Sequence, residues 1–74
     1  MMNAIEELDA VALTCDLPKY GLVRGEVGTA VLAHGEGAAF EVEFADAQGR
    51  AFALLPIAAG KLMQLHDAPV AFAA

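Results

Sequence analysis

The sequence predicts an all-β fold, a small five-stranded half-open barrel with a short 3-10 turn before the last strand. Three observations carry this. Phe40-Glu41-Val42-Glu43-Phe44 alternates apolar and acidic residues with the period of a strand. Seven glycines and three prolines punctuate the chain at intervals too short for helices. No window of eleven residues keeps apolar spacing at i, i+3 and i+4 without a Gly or Pro inside it. Alanine, the best helix former, supplies close to a quarter of the chain, and that interruption is what overrides its preference.

In chain order, residues 1–7 form a lead-in, 8–66 the barrel domain and 67–74 an apolar tail. The first strand follows Leu8, with Asp9, Val11, Leu13 and Cys15 on one face and Ala10, Ala12 and Thr14 on the other. Pro18 and Gly21 break it, and residues 16–25 read as one long loop closed by Gly25. The second strand sets Val27, Thr29, Val31 and Ala33 against Gly28, Ala30, Leu32 and His34, and Gly28 marks a bulge or a close backbone approach. Gly35-Glu36-Gly37 makes the next turn. Residues 39–55 form a hairpin around Asp46-Ala47-Gln48-Gly49, in which Asp starts the turn and Gly takes a left-handed conformation. Its second arm runs from Arg50 to Leu55, with Phe52 and Leu54 on one face, and Pro56 ends it. Residues 57–60 suit the 3-10 turn, and Leu62 to Leu65 the last strand. No internal repeat is present. Strands so few and short cannot make a two-sheet sandwich, but they can curl around one core.

Composition narrows function. The 74 residues are 58% hydrophobic and 19% charged, which excludes disorder and allows one domain at most. Four Lys and Arg against ten Asp and Glu give a net charge of −6, which argues against nucleic acid as a partner. The first nine residues carry Glu6, Glu7 and Asp9 and no cation, the wrong charge for a secretory leader. No apolar run reaches the length of a membrane span. A lone cysteine forms no internal disulfide. The expectation is a cytoplasmic bacterial protein away from membranes, with no cofactor.

The blocks Asp9-Ala-Val-Ala-Leu, Asp16-Leu-Pro-Lys-Tyr-Gly-Leu, Arg24-Gly-Glu-Val-Gly-Thr, Phe40-Glu-Val-Glu-Phe and Asp46-Ala-Gln-Gly-Arg, in this order and spacing, resemble the domain-of-unknown-function family 4926 from about Leu8 to Leu65. The Arg24 block also looks like the strand start of KOW-type and other SH3-like barrels. The resemblance implies a small SH3-like barrel and carries no activity. The chain departs from the family pattern in its tail after Leu65 and in alanines such as Ala30 and Ala53.

Each candidate site also has a plainer role. Glu41 and Glu43, about 7 Å apart on one strand face, have the residue types of a glycosidase pair. A chain without Trp has little material for a sugar cleft, so they read as solvent-facing. Cys15, His34 and His66 are the soft metal ligands, and none sits at zinc-site spacing. Cys15 alternates with Val11 and Leu13 as a small buried hydrophobe, and with no serine in the chain a Ser-His-Asp triad is excluded. Gly21, Gly25 and Gly28 match no phosphate-cradling motif, and turn geometry accounts for them. There remain Lys19, Tyr20 and Arg24 on the long loop, which lines a binding surface in SH3-like barrels, and Val70 and Phe72 in the tail.

The expected function is therefore a non-enzymatic protein-interaction module, a small acidic accessory or an antitoxin- or immunity-like protein, binding a protein partner or itself. The alternative is a nucleic-acid-associated KOW/SH3-like module, which requires Lys19, Arg24, Arg50 and Lys61 to converge.

Overall fold

The computed structural model describes residues 5–65. The tail residues Val70 and Phe72, and His66, lie outside the described residues. Five strands, β1 (Ala10–Leu13), β2 (Val27–His34), β3 (Ala39–Ala45), β4 (Ala51–Ala58) and β5 (Leu62–Gln64), form one antiparallel sheet in the order β4-β3-β2-β1-β5. Short 3-10 turns occupy Pro18–Tyr20 and Ala59–Lys61. The sheet is curled but not closed. Ile57 of β4 and Leu62 of β5, from its two ends, belong to one buried cluster with Val11, Leu13, Leu22, Ala30, Phe40, Val42 and Phe44. Curling lets a single sheet bury its own inner face, which alternation in the strands prepares.

β2 and β3 approach closely at Gly28. A Cβ there would lie 2.7 Å from the Glu43 carbonyl oxygen and 2.8 Å from Val42 Cγ1. Of the two readings of Gly28, close approach is the one observed. The bulge lies further on, where the register slips between Ala30 and Leu32. The extra residue is Val31, and it moves Ala33 from the outer face to the core side. The strict alternation expected for β2 therefore holds only as far as Ala30.

Two other boundaries differ from expectation. β1 ends at Leu13, so Cys15 lies beyond the strand and is half-buried. β4 runs through Pro56 to Ala58 instead of stopping there. Its position explains why. The Ala59 amide donates to the Ala38 carbonyl (2.9 Å), so residues 57, 55 and 53 also bond toward β3, while 54 and 56 point the other way. β4 is the terminal strand, and Pro56 removes a donor only from the open edge. The 3-10 turn starts at Ala59, two residues later than expected, because Ile57 and Ala58 complete β4.

The hairpin turn forms as its residues dictate. Asp46 Oδ1 accepts the Gln48 and Arg50 amides (both 2.9 Å), and Gly49 has φ 81°. The register slips at Phe44/Ala45 and leaves Phe52 as the extra residue. That bulge turns Phe52 toward the Phe44 ring, 6.5 Å between centroids, instead of leaving it in line with Leu54.

Candidate functional site

The connection from β1 to β2 is more ordered than a plain loop. The Leu13 amide donates to Glu26 O and the Gly25 amide to Leu13 O, which fastens both ends of the connection to β1. Leu17 and Leu22 exchange amide-to-carbonyl bonds around the Pro18–Tyr20 turn, and Gly21 ends that turn at φ 72°. Leu22 is buried and Leu17 packs on the core. With these two leucines inward, Lys19, Tyr20, Val23 and Arg24 are held outward. Tyr20 is 50% and Val23 55% exposed. Lys19 Nζ sits 5.9 Å from the Tyr20 ring centroid, within cation–π range. The Arg24 amide donates to Asp16 Oδ1 (2.8 Å), fixing the backbone while its guanidinium stays exposed.

Strand direction places Arg50 at the same end of the sheet: it leads into β4 beside the end of β3, and Phe44 pairs with Gly28 at the start of β2. Lys61 lies between the ends, since its carbonyl accepts the Thr14 amide at the end of β1 while the Ala59 amide, two residues earlier, bonds Ala38 O beside the β2–β3 turn. Lys19, Arg24 and Arg50 share their end with as many carboxylates, Asp16, Glu26 and Asp46. The carboxylates beside them are engaged locally: Asp16 with the Arg24 amide, Glu26 with the Val23 amide, and Asp46 with backbone amides and Arg50 Nε (3.5 Å).

The opposite end is acidic. The Leu8 amide donates to Ala30 O, the Ala30 amide to Asp9 O, and Glu7 Oε2 accepts the Ala33 amide (2.8 Å) beside the β2 bulge. These bonds draw Glu6, Glu7 and Asp9 to the side of the β2–β3 turn, where Glu36 lies. Glu41 bonds His34 Nε2 (3.1 Å) at the same end. Leu8 itself has φ 77° and a side chain 75% exposed. A left-handed leucine costs about 1–2 kcal/mol relative to glycine. The cost is met by the surrounding bonds and leaves an apolar side chain projecting among carboxylates.

Other candidates have plainer positions. Glu41 and Glu43 stand on the outer face opposite Leu32, Thr29, Leu54 and Pro56. Gly21 and Gly25 have φ 72° and 92°, as turns require. Among the described residues, no group of three or more His, Cys, Asp or Glu is placed to hold a metal ion. An open cleft of about 590 Å³ runs along β5 between Ile5 and Glu36, and among the described residues Glu36 is the one ionisable group lining it.

The sequence singled out Lys19, Tyr20 and Arg24, and the structure keeps them together. It adds Arg50 to their end, a placement only strand direction reveals. Val23 and Leu8 had no sequence signal: one is an ordinary loop valine, and the other owes its conformation to a distant carbonyl.

The fold defines a class: a small open all-β sheet of five antiparallel strands. The chain belongs to the family described as Domain of unknown function (DUF4926), whose model matches residues 7–64. Neither a curated protein nor a solved structure matches it. Among the described residues, no helix is long and apolar enough to cross a membrane.

Proposed function

We propose that this protein is a non-enzymatic interaction module of the bacterial cytoplasm, a small acidic accessory whose loop end, residues 16–25, contacts a protein partner or another copy of the chain. The observation that carries this reading is the loop itself, fastened to β1 at both ends and holding Tyr20 and Val23 half-exposed beside Lys19 and Arg24. Aromatic and Arg side chains anchored on a fixed backbone are what protein interfaces concentrate. The strand order and the 3-10 turn before β5 support grouping the fold with SH3-like barrels. The acidic end suits an antitoxin- or immunity-like role against a basic partner.

A second reading has one observation in its favour. Nucleic-acid binding requires the cations to converge, and Lys19, Arg24 and Arg50 share one end with an exposed tyrosine able to stack a base. The overall charge of −6 opposes it. One experiment separates the two: a photo-cross-linking residue in place of Tyr20, irradiated in cells. The protein reading expects a discrete protein adduct that is lost in Lys19→Glu/Arg24→Glu. A nuclease-sensitive adduct instead favours the second reading, and no adduct counts against both.

A further inference from the structure

We infer that Asp16 is a positioning residue for the contact surface of the 16–25 loop, and that it acts through its hydrogen bond to the Arg24 backbone and not through its charge. This rests on that loop being the contact surface, and adds what holds the surface in one shape.

The loop is fastened by backbone bonds at two places. Leu17 and Leu22 exchange amide-to-carbonyl bonds, and the Gly25 amide donates to Leu13 O. Val23 and Arg24 lie between these fixed points, and carboxylates from either side take their amides. Asp16 Oδ1 accepts the Arg24 amide at 2.8 Å, and Glu26 Oε2 accepts the Val23 amide at 3.4 Å. The shorter bond ties the start of the loop to its far limb, eight residues on. Amide bonds to an ionised carboxylate are about twice as strong as those between neutral groups. Pro18, with its fixed φ, and Gly21, at φ 72°, settle the near limb around Lys19 and Tyr20. Asp16 supplies the matching restraint on the far limb, where Val23 is 55% exposed and Arg24 is exposed.

Asp16 is itself exposed, so its bond adds little to the stability of the whole fold. Its effect is local. A surface already in its bound shape loses less freedom on docking than one that must first be ordered. Without the bond, the far limb opens independently of the sheet. The carboxylate is engaged with backbone, so a partner reads the limb that it holds.

The test is a pair of substitutions that change charge equally and differ in the hydrogen bond. Asp16→Ala and Asp16→Asn both remove one negative charge, and only the second keeps a side-chain oxygen for the Arg24 amide. Each is made in the full chain with the photo-cross-linking residue in place of Tyr20. Adduct yield in cells is measured beside amide hydrogen exchange at Arg24. Asp16→Ala should exchange Arg24 about tenfold faster and cross-link several-fold less, with its urea midpoint close to the parent's. Asp16→Asn should restore both readouts. Glu26→Ala, which removes the longer bond, should have the smaller effect. Undiminished adduct or unchanged Arg24 exchange in Asp16→Ala overturns the inference. So does an Asp16→Asn that behaves like Asp16→Ala, because charge is then what counts. If the parent chain forms no adduct, the contact reading fails, and Arg24 exchange in the two variants decides by itself whether Asp16 positions the loop.

Discussion

Gly28 and Leu8 show how much single backbone positions decide in a domain this small. At Gly28 the absent side chain is the point, because β3 backbone and Val42 occupy the space a Cβ would need. Gly28→Ala should therefore cost about 2–3 kcal/mol as the strands are forced apart, read as a lower urea midpoint. Mid-strand position alone flagged this glycine in the sequence, since a strand gains nothing from one unless something comes close. Leu8 is the opposite case. Leu8→Gly relieves a left-handed leucine and should raise stability by about 1 kcal/mol in the same assay. Nothing in the local sequence announces it, because the conformation is imposed by the bond to Ala30, more than twenty residues away.

Among the elements, the β3–β4 hairpin was the most legible. Phe40 to Phe44 alternates cleanly, and Asp46 and Gly49 are the residues their turn needs. Pro56 was misread because a strand's sequence does not say whether it lies at the centre or the edge of a sheet. A proline would break a central strand, and at this edge its missing N–H faces outward. The bulge at Val31 was equally hidden, since one inserted residue keeps the β-branched composition and changes only the faces. Pro56 protects as well as fits. Pro56→Val would restore a donor to the open edge and lengthen a pairing template. The variant should keep its fold and aggregate faster on incubation, followed by light scattering; unchanged solubility would show that the edge is guarded by other means.

At the scale of the whole molecule, the core is one small cluster, with Phe40 and Phe44 its largest fully buried side chains. Phe40→Ala should remove about 3–5 kcal/mol, a large share of what a domain this size holds, and leave a cooperative transition shallow or absent in thermal melts. Net charge was legible from composition, but its placement was not. Lys19, Arg24 and Arg50 are scattered through the sequence, and only the antiparallel order of the strands brings them to one end, together with Asp16, Glu26 and Asp46. The outward side of the 16–25 loop is the surface on which the proposed role turns, and the Tyr20 photo-cross-link measures it most directly. The expected result is a discrete protein adduct in cells that is lost in Lys19→Glu/Arg24→Glu. No adduct, or one unchanged by those substitutions, would contradict it.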